Sequence, residues 1–168
     1  MQQTATSLKD IKLVGITTVK TNNARLFESD PSTNIVAAAV QQYFHGGLAS
    51  KIEARKKPGT TFCVYTNYEG DFNGDYTYFI GEEVTSFDNV AEGMETLVIP
   101  AQRYAKFTNK PGAMPGVCIA MWQNIWSRTD ADLGGKRAYI ADFEVYDERS
   151  VDHNNVVLDI YIGIKKPK

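Results

Sequence analysis

Two short stretches of this chain echo each other: Tyr78-Phe79-Ile80-Gly81 and Ile160-Tyr161-Ile162-Gly163, 82 residues apart. Four residues alone are a weak signal, but the elements that lead up to each come in the same order. In the first half, the β-branched run 11–20 predicts a strand, because such side chains suit a pleated, half-buried surface. A helix is expected from Asp30-Pro31, a capping residue followed by proline at a first-turn position. Its apolar residues Ile35, Val36, Ala39, Val40, Tyr43 and Phe44 recur at three and four, and Gly46-Gly47 stops it. Strands are expected at 60–67 and 75–85, joined by the Gly/Asp/Asn-rich segment 69–75, which suits an antiparallel hairpin.

The second half repeats that order. A strand is expected over 95–107, with Pro100 at a bulge or edge because it cannot donate to a ladder. A helix over 115–128 carries Val117, Cys118, Met121, Trp122, Ile125 and Trp126 on one face, and strands at 137–147 and 156–165 follow. The expectation is an α+β fold of two strand-helix-strand-strand units in one domain, residues 1–168, with pseudo-repeats at about 8–86 and 94–166. Two such units share one antiparallel sheet most economically with both helices on one face. The helix-free face is then left for a central groove where the halves meet.

Composition narrows the function. Eighteen basic and 20 acidic side chains give a net charge of −2, which supplies no general attraction to phosphate, so direct nucleic-acid contact is not expected. The two cysteines, Cys63 and Cys118, lie in apolar stretches and read as free buried thiols of a reducing compartment rather than a disulfide. Residues 1–10 lack the apolar core of a signal peptide, and no apolar run approaches the roughly 20 residues of a membrane span, so a cytoplasmic protein without membrane contact is expected. His45 and His153 sit apart in loop-like contexts without Cys-x-x-Cys, so no metal is expected. No phosphate-binding loop or nucleophile elbow occurs, and no cofactor or catalytic set is assigned.

Strand parity then sorts side chains by face. In the last strand Ile160, Ile162 and Ile164 form the apolar set and should face the helices, which sends Asp159, Tyr161 and Gly163 to the helix-free face. The echo sends Phe79 there too. In 137–147 the more apolar set is Tyr139, Ala141, Phe143 and Val145, and the alternate set is Ile140, Asp142, Glu144 and Tyr146. Glu144 stands out as a carboxylate inside a strongly strand-forming, aromatic segment. It is either solvated on a wet face, or a desolvated anion for a cationic ligand or for acid/base chemistry, and parity leaves both open. Trp122 and Trp126, four apart, share a helix face, where core packing is the commoner role.

These residues resemble the GyrI-like family, the effector-binding domain of some AraC-type and MerR-type bacterial regulators. The resemblance rests on Leu13-Val-Gly-Ile, Pro58-Gly-Thr with Val64-Tyr65-Thr-Asn-Tyr68-Glu, and Gly74-Asp-Tyr-Thr-Tyr-Phe-Ile-Gly. It continues through Val98-Ile-Pro-Ala-Gln-Arg-Tyr-Ala-Lys-Phe, Trp122-Gln-Asn-Ile-Trp, Asp142-Phe-Glu-Val-Tyr-Asp-Glu-Arg and Ile160-Tyr-Ile-Gly-Ile. It implies SHS2-like repeats around a central ligand groove, with Glu144 at the floor as counter-ion to cationic, lipophilic, often aromatic molecules. Phe79, Tyr146 and Tyr161 are expected groove-wall residues, with Tyr65, Trp122 and Trp126 as further candidates. With the first strand expected near residue 10, no DNA-binding domain is expected ahead of it, and a stand-alone role in transcriptional regulation or drug sequestration is expected. Two alternatives are a hydrolase of reactive electrophiles using Glu144 with Tyr146 or Tyr161, and a protein-binding inhibitor similar to those of DNA gyrase. A protein partner or a homodimer is left open.

Overall fold

A computed structural model describes residues 1–166. Eight strands, β1 (Gln2–Leu8), β2 (Ile11–Thr17), β3 (Thr61–Thr66), β4 (Thr77–Glu83), β5 (Glu95–Ile99), β6 (Gln102–Thr108), β7 (Ala141–Tyr146) and β8 (Asp159–Ile164), form one antiparallel sheet. Helix α1 (Ile35–His45) lies between β2 and β3, α2 (Gly116–Trp126) between β6 and β7, and a short α3 (Asp130–Leu133) follows α2. The strand order is β1-β6-β8-β7-β3-β4-β2-β5. It reads the same from either end: β2-β4-β3 of the first half meets β7-β8-β6 of the second at the β3·β7 seam.

The two outer strands cross over between halves. β1 precedes β2 in sequence but pairs with β6, and β5 precedes β6 but pairs with β2. Strands β1 and β2 stand six places apart in the order, as do β5 and β6. In a flat sheet that is roughly 29 Å at the usual strand spacing. Yet only Lys9-Asp10 and Pro100-Ala101 make the two connections, each spanning at most about 11 Å. The sheet must therefore curl until its edges approach. The curl buries its helix-free face: Leu13, Val64, Phe79, Ile99, Tyr104 and Phe143 pack there, each no more than 3% exposed, with no helix over them.

Two sequence expectations change here. The single strand expected at 95–107 is two, broken at Pro100-Ala101, because the chain crosses to the other half where proline withholds a ladder donor. The polar run Gln2–Leu8, to which no element is assigned from sequence, is the edge strand β1, mostly solvent-exposed and so without an apolar alternation to reveal it. The expected helices appear, shortened. Asp30 opens a turn that precedes α1, and Asn34 caps the helix by accepting from the Ala37 N–H at 3.1 Å. The Asn34 amide also donates to the carbonyls of Leu26 and Glu28, which ties the segment 23–28 to the start of α1.

The other face carries α1 and α2. Val36, Ala39 and Tyr43 of α1 and Met121, Trp122 and Ile125 of α2 pack onto Tyr65, Tyr78, Ile80, Ile160, Ile162 and Ile164. The three isoleucines of β8 thus face the helices, as their parity predicts.

The repeated Gly-ending motif has a steric use at Gly81. Gly81 pairs with Gly15, and a Cβ at Gly81 would lie 2.1 Å from the Val14 carbonyl oxygen, with one at Gly15 2.0 Å from that of Ile80. Both obstacles are backbone, so neither can swing aside. Gly81→Ala is expected to destabilise the fold by about 3 kcal/mol, the upper end of ordinary single substitutions. A denaturant midpoint indistinguishable from wild type would show that the two strands can separate at no cost.

Candidate functional site

Residues opposite each other in adjacent antiparallel strands share a face. One such row runs Phe107, Ile160, Glu144, Cys63, Ile80, Ile16 across β6, β8, β7, β3, β4 and β2. Glu144 therefore sits beside the central seam, on the helix-bearing face, in a row that is otherwise apolar. The row beside it, Tyr161, Phe143, Val64, Phe79, lies on the opposite face.

Glu144 is 4% exposed and accepts three hydrogen bonds. The Tyr65 hydroxyl and the Trp122 indole N–H donate to Oε2 at 2.7 and 2.8 Å, and the Tyr146 hydroxyl donates to Oε1 at 2.5 Å. Tyr146 Oη also lies 3.4 Å from the Cys118 thiol, whose S–H can donate to it. Among the described residues Glu144 has no salt bridge. Its neighbour on the same face of β7 is treated differently. Asp142, wholly buried, accepts from the Tyr68 hydroxyl, from the Gly163 N–H and from Arg137 Nη2 at 2.6 Å, so its charge is balanced. Two carboxylates two residues apart thus differ in one respect: Asp142 has a cation and Glu144 has only neutral dipoles.

Above Glu144 a cavity of about 540 Å³ opens between α1 and α2. Its wall is formed by Val36, Val40 and Phe44 from α1 and by Cys118, Ile119, Trp122 and Trp126 from α2. Leu26 and Phe27 close one side, and Tyr65, Tyr78 and Tyr146 line the floor with Glu144. Tyr65 is the centre of the aromatic floor, edge-on to Trp122 at 5.1 Å, Tyr76 at 5.2 Å and Tyr78 at 5.3 Å. At the mouth Phe27, Phe44 and Val151 are 60%, 56% and 78% exposed, so the rim is apolar and open.

Burial pushes the hydroxyls of Tyr65 and Tyr146 well above the ordinary tyrosine range, and the Glu144 charge pushes them further. Tyr78 rises for burial first, then for the nearby Cys63 and Glu144. The Cys118 thiol is raised by burial and by Glu144, which makes it a poor nucleophile. Among the described residues no group of three or more His, Cys, Asp or Glu is placed to hold a metal ion, and no helix is long and apolar enough to cross a membrane.

Five of the seven expected site residues come together here: Glu144, Tyr146, Tyr65, Trp122 and Trp126. Phe79 and Tyr161 do not. They lie on the helix-free face, where Tyr161 stacks on Phe143 at 4.7 Å and Phe79 is 1% exposed. The cavity lies on the helix side, not on the helix-free side where the groove was expected. The apolar set of β7, Ala141, Phe143 and Val145, correspondingly faces away from the helices. In β7 parity separated the two sets but not which face each took, because the curl dries the helix-free face too. Residues missed from sequence include Tyr78, Cys118 and the α1 wall; Tyr78 pairs with Tyr65 and could have been found from the expected hairpin register.

Comparison with known proteins agrees with this architecture. Residues 5–164 match the Cass2 family, described as integron-associated effector binding protein. The chain is an effector-binding domain related to bacterial transcription regulators and belongs to the Cass2 family, within the GyrI-like group its motifs resemble. It is 28% identical over 132 residues to YobU of Bacillus subtilis (strain 168), named as a candidate transcriptional regulator, covering 78% of this chain and 80% of YobU. It is 40% identical over 95 residues to the transcriptional regulator BrlR of Pseudomonas aeruginosa, a match that spans 55% of this chain and only 34% of BrlR. In structure it is similar to the integron cassette protein VCH_CASS2 from the mobile metagenome of Vibrio cholerae, with TM-score 0.73 and 23% identity over 97% of this chain and 95% of that one. SAV2435, solved bound to tetraphenylphosphonium, superposes with TM-score 0.73 at 15% identity over 98% and 94% of the two chains.

The shifted tyrosines set the alkaline stability. Tyr65, Tyr68, Tyr78 and Tyr146 keep their protons in the folded chain beyond the ordinary value of 10.0, where the unfolded chain releases them. The unfolded state therefore binds fewer protons above that pH, and stability, complete below about pH 10, falls as pH rises past it. Each tyrosine that keeps its proton in the folded chain steepens that loss, by at most about 1.4 kcal/mol per pH unit. Denaturant titrations between pH 8.5 and 11 should show that steep loss, and a stability flat to pH 11 is the contrary result.

Proposed function

We infer that the cavity binds a lipophilic cation, with Glu144 as its counter-ion. The observation that carries this is the contrast on β7: Asp142 is neutralised by Arg137, whereas Glu144, also buried, is held by three neutral donors and, among the described residues, no cation. A buried carboxylate is costly without a balancing charge, and a bound cation offsets that cost. A carboxylate has about four acceptor positions, of which three are taken, so the Coulomb term and the aromatic faces dominate over new hydrogen bonds.

The walls suit such a guest. A cavity of about 540 Å³ lies within the roughly 300–1,000 Å³ usual for small-molecule sites, and its lining is mostly apolar and aromatic. SAV2435, which shares this fold, is bound to tetraphenylphosphonium, an aromatic cation. A chain of the Cass2 family related to transcription regulators fits a role in which such a ligand is sensed or sequestered. Hydrolysis is less well supported: the hydroxyls around Glu144 are pushed up, which suits them to donate hydrogen bonds and not to release protons.

Titration of tetraphenylphosphonium followed by tryptophan fluorescence tests this, since both tryptophans of the chain line the cavity. Glu144→Gln keeps the shape and an acceptor for Tyr65 and Trp122, and should weaken the cation roughly 30-fold, about 2 kcal/mol. Binding of neutral triphenylphosphine oxide should be unchanged. Equal cation affinity in both proteins removes Glu144 as counter-ion.

A further inference from the structure

Behind the aromatic wall lies a second, much smaller void of about 10 Å³, roughly the space of one water-sized sphere. Leu26, Tyr65, Trp122 and Trp126 line both spaces, so the two are separated by side chains alone. The remaining walls are Asn23, Tyr68, Phe72, Tyr76 and Arg137. Two of these carry buried polar groups with no partner among the described residues: Arg137 Nε and Nη1, and Tyr76 Oη. Arg137 is 8% exposed and Tyr76 2%. A buried donor left unmade costs free energy, so unpartnered donors on two side chains around one void call for an acceptor atom within it.

The guanidinium is held in place. Nη2 donates to Asp142, its face lies 4.4 Å from the Tyr139 ring centroid and 5.7 Å from that of Phe72, and Phe72 in turn stacks on Trp126 at 5.9 Å. Asp142 balances its charge, so the free N–H groups call for a neutral acceptor and not an anion. The void admits one atom of the size of a carbonyl oxygen or nitrile nitrogen, and excludes a carboxylate or phosphate.

We propose that Arg137 and Tyr76 form a hydrogen-bonding subsite for a neutral acceptor atom carried by the ligand of the main cavity, reached past Trp126 and Phe72. The proposal rests on the ligand pocket inferred above and adds a second point of recognition to it. Asp142, which anchors Arg137, and Glu144 are two residues apart on one face of β7, a separation of about 7 Å. The preferred ligand is thus an aromatic cation with a carbonyl, nitrile or similar acceptor about one aromatic ring away from its charge.

Matched probes test it. (4-Cyanobenzyl)triphenylphosphonium should bind the full chain about tenfold tighter than benzyltriphenylphosphonium, the worth of one hydrogen bond from a charged donor. Its nitrile stretching band should shift on binding. Arg137→Met/Asp142→Asn removes both charges together and should abolish the ratio and the band shift while leaving the benzyl compound's affinity unchanged. Tyr76→Phe, which leaves the ion pair intact, should reduce the ratio. The neutral pair 4-cyanobiphenyl and biphenyl reads the subsite without a cation, so its ratio stands even where the phosphonium compounds fail to bind. Equal affinities within both pairs in the wild-type protein, or a ratio that survives loss of Arg137, overturns the proposal.

Discussion

The β3·β7 pairing is the contact on which the rest of the molecule depends. Among the described residues it is the only ladder that joins β2-β4-β3 to β7-β8-β6, and its register sets Cys63 opposite Glu144 and Tyr65 opposite Asp142. Each opposed pair shares a face, so the seam itself brings the Tyr65 ring over to the Glu144 carboxylate from the neighbouring strand. A slip of one residue would send Glu144 into the helix-free core among Val64, Phe79 and Phe143, away from Tyr65, Trp122 and Tyr146 and from the cavity they line. The carboxylate is thus a cost of the correct register that three donors largely meet, and a far larger cost in the wrong one.

The curl of the sheet explains why a cavity can exist on the helix side at all. A sheet with one wet face must bury its apolar residues under helices, which would have to cover it completely. Here the helix-free face is buried by the sheet's own curvature, and much of the apolar burial is achieved there. The helices are then free to stand apart, α1 against β2 and β4 and α2 over the other half, with the gap between them left as the pocket. The same two-residue links that enforce the curl also lace β1 and β5 onto the opposite halves, which restrains the halves from opening at the seam.

That architecture also sets what could be read from the residues alone. Glu144 was legible because a carboxylate inside 141–146 contradicts the composition around it, and Trp122 and Trp126 because their spacing places them on one helical face. Phe79 and Tyr161 lie on the helix-free face, where parity puts them, but that face is closed by the curl and the cavity lies on the other, because alternation cannot tell a wet face from one dried by curvature. β1 was missed since an exposed edge strand of Gln, Thr and Ser has no burial pattern to imprint. Arg137 lies just outside β7, in a stretch where Tyr139 takes a positive φ of 53°, so no strand parity could relate it to Asp142. Asp142 itself was in view in the same alternate set as Glu144. The difference between them, one paired and one not, exists only in three dimensions.

The apolar rim carries one more consequence. Phe27, Phe44 and Val151 stay exposed because no neighbouring element reaches them, and large exposed apolar groups clustered at a cavity mouth are uncommon on a surface without a role in binding. Phe44 belongs to α1 of the first half, Val151 follows β7 of the second, and the Glu144 floor lies at their junction. A guest large enough to meet both the rim and the floor touches α1 and α2 together, so its binding energy is spread over both halves. Any change in the spacing of the helices then trades directly against contact with the guest. Recognition and the relative position of the two halves are coupled by the same set of side chains.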